Sequence, residues 1–241
     1  MPKTYGDDVR ETLQHGKIEN LTVIPEGSNG TYLVTLTTEI HSCMAIYKPS
    51  EEEKPLWDFP SGTLYKREYA SYLVATALGW NIIPPTVIRG GPLGEGSIQL
   101  FLQLETHSNY FTLRELYLRN FQTIALFDYI TNNADRKASH CTRDLNGRIW
   151  CIDHGLTFHS ENKLRTVIWD FEGEAVPRQL LHPVTVCLEA LTSTSPLAKD
   201  LLSLLTLDEF TALISRIGRI LQTQRFPILD PNRFNIPWPW L

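Results

Sequence analysis

Strand-forming residues gather in three short runs near the start of the chain, 21–24, 31–36 and 43–48, and the stretch Glu26-Gly27-Ser28-Asn29-Gly30 between the first two is turn-forming. Pro49 closes the third run, so a three-stranded meander is predicted. The period then lengthens to three or four. Over 64–78 the positions Leu64, Tyr65, Tyr69, Tyr72, Leu73 and Thr76 predict a helix, with Gly79 placed to terminate it. Glu68 shares a line with Leu64, Tyr72 and Ala75, which aims a carboxylate along a mostly inward face, and a buried carboxylate needs a partner. Two further strands are predicted at 86–88 and 98–104.

Beyond residue 105 the pattern becomes helical. Thr112 followed by Glu115 reads as a capping box opening one long helix that runs through Leu113, Leu116, Tyr117, Phe121, Ile124, Ala125, Phe127 and Ile130. Helical periods return at 177–191, 197–205 and 207–222, and the proline- and tryptophan-bearing tail from 225 onward reads as an extended segment docked on the body. No internal repeat or low-complexity run occurs. The expected architecture is a single α+β domain with a β-rich N-lobe over about 1–105 and a mainly helical C-lobe over about 106–241.

Composition narrows the possibilities only slightly. A chain of 241 residues with 42% hydrophobic and 20% charged residues is an ordinary globular one, long enough for two lobes that share a cleft. The net charge of -5 argues against nucleic acid as a general partner. No apolar run approaches a membrane span and the N-terminus lacks the apolar centre of a signal peptide, so a cytoplasmic protein is expected. Cys43, Cys141, Cys151 and Cys187 show no CxxC spacing, which predicts buried or half-buried thiols and neither a disulfide framework nor a zinc site.

The chemistry concentrates in residues 132–155. Asn146-Gly147 predicts a two-residue hairpin turn; that register pairs Thr142 with Cys151 and His140 with Asp153, bringing an imidazole and a carboxylate together at the open end, with Asp135 on the loop just before. Phosphoryl transfer from a nucleotide needs held divalent cations, a carboxylate to orient the attacking hydroxyl, a fixed cation for the phosphates and a backbone cradle. Asp153 suits the first role, with His140 as metal ligand or orienting donor, and Asp135 suits the second. Lys48, at the end of an apolar strand and with Glu68 as its ion-pair partner, suits the third, and the turn Gly27-Ser28-Asn29-Gly30 the fourth.

With those residues in place, the chain resembles the kinase-like superfamily, in its atypical branch of phosphatidylinositol 3- and 4-kinases and HipA-type kinases. More narrowly it is similar to a bacterial family described as phosphatidylinositol 3/4-kinase-like, through Tyr47-Lys48-Pro49, the Pro55-Leu56-Trp57-Asp58-Phe59-Pro60 run, the Asn132-Asn133-Ala134-Asp135-Arg136-Lys137 run and Ile152-Asp153-His154-Gly155. The resemblance implies ATP with Mg2+ or Mn2+ as cofactors, Lys48 on the phosphates braced by Glu68, Asp135 as the catalytic-loop aspartate, Asp153 on metal, and a hinge near Gln103 that receives the adenine. It also implies an acceptor hydroxyl on an unidentified protein or small molecule.

One departure from the family pattern is His140, which stands where the pattern has a metal-binding asparagine. It favours a second reading, a nucleotide-binding pseudokinase acting as a regulatory or scaffolding module. A third reading, a metal-dependent hydrolase, rests on the ligand chemistry of His140, Asp153, His154 and His159 but leaves Lys48 unexplained. Three side features carry their own expectations: Glu51-Glu52-Glu53 as a solvated acidic face, the 55–60 run either as a plain packing loop with Trp57 and Phe59 inward or as a loop whose Asp58 faces nucleotide or partner, and Lys163 and Arg165 as substrate contacts in a loop without a basic excess.

Overall fold

The computed structural model describes residues 7–25 and 29–241. Helix α1 (Asp7–His15) precedes the meander β1 (Lys17–Val23), β2 (Tyr32–Thr37) and β3 (Ser42–Pro49); then come α2 (Leu64–Ala77) and the hairpin β4 (Thr86–Gly91) and β5 (Gly94–Leu100). These strands form one antiparallel sheet in the order β1-β2-β3-β5-β4. Its inward face buries Val34, Leu36, Ala45, Tyr47, Val87, Ile98 and Leu100, and Leu13 of α1 packs among them. Helix α1 was not foreseen: nine residues carry too short a pattern to stand out, and the sheet, not propensity, holds it.

The second body contains α3 (Tyr110–Leu113), α4 (Leu118–Thr131), the hairpin β6 (Cys141–Arg143) and β7 (Ile149–Cys151), α5 (Arg178–Leu191), α6 (Pro196–Leu204) and α7 (Leu207–Thr223). The larger hydrophobic core lies here, and Ala70, Val74, Ala75 and Leu78 of α2 belong to it. Helix α2 therefore bridges the two bodies. Its end is as expected: Gly79 takes φ +66, and the N–H groups of Gly79 and Trp80 return to the carbonyls of Thr76 and Ala75. At its start, the Glu53 carboxylate accepts the N–H groups of Leu64 and Tyr65 at 3.1 and 2.8 Å. Glu53 is thus a helix cap and not part of a solvated face, whereas Glu51 and Glu52 are exposed as expected.

Three sequence expectations are corrected. The long helix from 113 is broken, because Asn109 is the N-cap, its side chain accepting from Phe111 and Thr112 while Thr112 returns to Asn109; α3 ends after one turn and α4 starts afresh at Leu118. The last strand of the sheet is 94–100, not 98–104, and residues 101–109 form the connector between the bodies. The hairpin register is one residue off, with Cys141 opposite Cys151 and Thr142 opposite Trp150. Its cause is Asp144, whose carboxylate accepts the N–H groups of Asn146 and Arg148, both at 2.9 Å, while Gly147 takes φ +83. That makes a three-residue loop with a left-handed glycine where Asn-Gly alone predicts two.

All four cysteines are unpaired; Cys141, Cys151 and Cys187 are buried and Cys43 half-buried. Among the described residues no helix is long and apolar enough to cross a membrane.

Candidate active site

Lys48 leaves the end of β3 between two carboxylates from different bodies. Its ammonium bonds the Glu68 carboxylate of α2 and lies 3.2 Å from Asp153 Oδ1, just after β7. Burial alone would lower the lysine's pKa, but Asp153 and Glu68 outweigh it and hold the ammonium above its ordinary value. Lys48 in turn holds the Asp153 carboxyl well below the usual range. Asp153 itself sits at φ +60, a left-handed conformation just after the hairpin, with its carboxylate between Lys48 and His140.

The close fit of β5 sets the position of Lys48. Gly96 lies opposite Pro49, and a Cβ there would stand 2.3 Å from the Lys48 carbonyl oxygen, so only glycine allows the strands this approach.

His140 ends a 3₁₀ turn, and its Nε2 lies 3.5 Å from Asp153 Oδ2. The two meet despite the shifted register, because the His140 carbonyl accepts the Ile152 N–H and both side chains lie beyond the paired strands. Burial pushes the imidazole pKa down to about 4, so the ring is neutral at physiological pH. A neutral imidazole and a half-exposed carboxylate at this separation fit a divalent cation, and the mixed N,O donor pair suits Mn2+ better than Mg2+.

The Asn-Asn-Ala-Asp-Arg-Lys run builds the loop that presents Asp135, and each residue has a separable task. Asn132 caps α4 in the left-handed region; its amide donates to the His159 and Glu161 carbonyls and accepts the Lys163 N–H. Asn133 accepts the Asp135 N–H at 3.0 Å, and Ala134 packs on Phe59 and Leu64. Arg136 is wholly buried, with three bonds to the Asp128 carboxylate of α4, one to the Ile152 carbonyl and one to His154 Nε2 at 2.8 Å. Asp135 is thereby held between a fixed helix and a fixed hairpin. Its carboxylate pairs with Lys137 at 3.2 Å, and burial raises its pKa despite that cation.

Two buried residues that sequence reasoning missed complete this frame. Asp128 was legible only as a lone acid inside the apolar run Leu126-Phe127-Asp128-Tyr129-Ile130. Arg67, next to Glu68, donates to the Thr157 carbonyl at 2.6 Å and forms a buried ion pair with Glu209 of α7 at 2.5 Å. Its only sequence signal was a cation in a helix whose other face had to be buried.

The other expected residues are placed as follows. Gly27 and Ser28 lie outside the described residues. Asn29 and Gly30 turn toward the segment after β3: Asn29 Oδ1 accepts the Lys54 N–H at 2.9 Å, and the Gly30 N–H donates to the Glu52 carbonyl at 3.1 Å. Gln103 is exposed in the connector and its carbonyl accepts the Leu145 N–H. Phe59 is buried as expected, whereas Trp57 is 92% exposed and Asp58 pairs with Lys163 at 3.0 Å, away from Lys48. His159 bonds the Asp58 carbonyl and His154 faces Arg136, and among the described residues no three His, Cys, Asp or Glu side chains gather as a metal site. The hydrolase reading loses its ligand set.

A sheet joined by one bridging helix to a helical body, with a lysine, two acids and a loop aspartate at their junction, is a kinase-like fold, and solved structures agree. The chain superposes on the hydra Fam20 structure with sugar at TM-score 0.55 and 15% identity, covering 91% of this chain and 89% of that one. The Golgi casein kinase with Mn/ADP bound gives 0.53 and 16% over 90% and 74%, and the Helicobacter pylori proinflammatory kinase CtkA 0.53 and 12% over 88% and 95%. These likenesses establish the fold. No protein-family model matches the sequence. The chain is 35% identical to the protein Rv2133c of Mycobacterium tuberculosis over 98% of this chain and 96% of that one, and it belongs to that protein's family.

Proposed function

We propose that the chain is an ATP-dependent phosphotransferase of the atypical kinase-like type, a single two-lobed domain that binds its nucleotide between the lobes and phosphorylates a hydroxyl. The observation that carries this reading is Lys48 bridging Glu68 and Asp153, because a cation fixed from both bodies is what phosphate recognition requires. Lys48 holds the phosphates and Glu68 keeps its ammonium from collapsing onto Asp153. The connector around Gln103 receives the adenine. Asp153 and His140 hold Mg2+ or Mn2+, which would neutralise charge on the transferred group. Asp135 orients the acceptor hydroxyl and accepts its proton.

The motifs at 47–49, 55–60, 132–137 and 152–155 support kinship with phosphatidylinositol 3/4-kinase-like proteins. A Fam20 relative in fold has been solved with sugar and another neighbour with Mn/ADP, which supports nucleotide and metal here and leaves the acceptor to experiment. The test is an acceptor screen by mass shift on wild type and Asp135→Ala. Phosphorylated product from wild type, lost in Asp135→Ala while ATP affinity stays within about twofold, supports the reading. Equal product from both would remove Asp135 from the mechanism.

A further inference from the structure

A cavity of about 320 Å³ opens beside the loop that carries Asp135. Arg165 forms part of its wall and is tied to that loop on both sides of the aspartate: the Arg136 N–H donates to the Arg165 carbonyl, the Arg165 N–H to the Asn133 carbonyl, and Arg165 Nε to the Ala134 carbonyl at 2.8 Å. The cavity wall is therefore fixed to the loop that carries Asp135.

The charges in this wall do not balance. Lys163 is paired with Asp58 at 3.0 Å and Arg233 with Asp230 at 3.1 Å. Arg165 is half-buried, spends only Nε on a carbonyl, and has no carboxylate within ion-pair distance among the described residues. Its remaining guanidinium N–H groups form an uncommitted fork, the geometry that matches a carboxylate or phosphate with two parallel bonds.

The rim is aromatic. Trp57 is 92% exposed and Phe234 90% exposed, and both line the cavity. The Lys163 ammonium lies 4.9 Å from the Trp57 ring centroid, which, with the Asp58 pair, braces an indole that buries almost nothing of its own. An indole held out at the mouth of a charged cavity is a platform for the body of a ligand.

We propose that this cavity is the acceptor site, and that it takes a hydroxyl compound bearing an anionic group, carboxylate or phosphate, seated on the free fork of Arg165 with its body against Trp57. The proposal rests on the phosphotransferase reading. In the step it implies, the acceptor oxygen forms the new O–P bond to the γ-phosphorus, the bond from that phosphorus to the β–γ bridging oxygen breaks, the hydroxyl proton passes to the Asp135 carboxylate and the nucleoside diphosphate leaves.

Binding is testable without turnover. Wild type, Arg165→Met and Trp57→Ala, each as the full chain, are titrated with glycerol 3-phosphate, D-glycerate and neutral glycerol, followed by tryptophan fluorescence and by saturation-transfer NMR. Separate titrations use ATP with Mn2+. At least one of the two anions is expected to bind wild type, glycerol to fail at the same concentration, and the bound anion to lose about tenfold or more in affinity in Arg165→Met and several-fold in Trp57→Ala. Which anion binds identifies the group. ATP affinity should stay within about twofold in both variants, since neither residue faces Lys48. The proposal is overturned if neither anion binds, or if binding is the same in Arg165→Met as in wild type; circular dichroism of the variants excludes misfolding as the cause of a loss. Failure of ATP to bind wild type, with anion binding intact, would instead overturn the phosphotransferase reading and leave an anion site on a kinase-like scaffold.

Discussion

Arg67 of α2 and Glu209 of α7 form a buried ion pair at 2.5 Å across 142 positions of sequence, one residue away from the glutamate that braces Lys48. Glu209 also accepts the Thr206 N–H at 2.9 Å, so the same carboxylate caps α7 and anchors α2. The bridging helix is thus fastened to the helical body in the position that keeps Glu68 on Lys48. Arg67→Met leaves a buried carboxylate without its cation and should cost about 3–5 kcal/mol of stability, measured by urea denaturation. Any activity should fall further than stability predicts, because Glu68 loses its fixed origin.

His154 occupies the middle of the Asp153-His154-Gly155 segment. Arg136 can only donate, so His154 Nε2 must accept and Nδ1 carries the proton, facing Glu68 Oε2 at 4.0 Å. The His154 N–H also donates to that oxygen at 3.0 Å. His154→Phe should therefore destabilise the protein by about 1–3 kcal/mol through a guanidinium N–H left unsatisfied. Thermal denaturation decides it; an unchanged midpoint would mean the bond to Arg136 contributes nothing.

His140 makes stability depend on pH in a definite direction. Its pKa is pushed down to about 4 in the folded chain by burial, against about 6.5 when unfolded, so between those values the unfolded state binds the extra proton. Its contribution is complete above about pH 6.5, is lost as pH falls toward 4, and amounts to at most about 3 kcal/mol. Wild type in metal-free buffer should lose stability over this window more steeply than His140→Asn, as read from denaturation midpoints at several pH values.

Gly96, paired with the strand end that carries Lys48, and Gly155, two residues after Asp153, should behave oppositely. Gly96→Ala places a methyl 2.3 Å from the Lys48 carbonyl oxygen and 2.7 Å from Pro49 Cα, both backbone atoms that cannot yield, and should cost about 1–3 kcal/mol and weaken nucleotide binding by moving Lys48. Gly155→Ala meets Leu64 Cβ at 3.5 Å, an ordinary contact, and should be tolerated within about 0.5 kcal/mol. Melting temperatures and ATP titrations of the pair check both statements.

The site was legible where chemistry follows from spacing and opaque where it follows from distant pairing. A lysine ending an apolar strand and a glutamate on the inward line of a helix are readable from period alone, and the two side chains do meet. The hairpin was visible through Asn146-Gly147, but its register was not, because Asp144 reorganises the turn with its own carboxylate. Likewise Asn109 outcompetes Thr112 as helix cap by offering an oxygen one turn earlier. Arg67–Glu209 and Arg136–Asp128 join residues whose partners depend on tertiary packing, which no local pattern encodes. The exposure of Trp57 escaped for the same reason: its run looked like packing, and only the cavity beside it distinguishes a platform from a core residue.

The most direct test of the central claim is calorimetric titration of the full chain with ATP and a non-hydrolysable analogue, with Mg2+, with Mn2+ and with no metal, repeated on Asp153→Asn. Metal-dependent binding, tighter with Mn2+ than with Mg2+ and weakened about tenfold or more in Asp153→Asn, is the result expected of a nucleotide site built on Lys48, Asp153 and His140. Absence of binding under every condition, or binding indifferent both to metal and to Asp153, would contradict it.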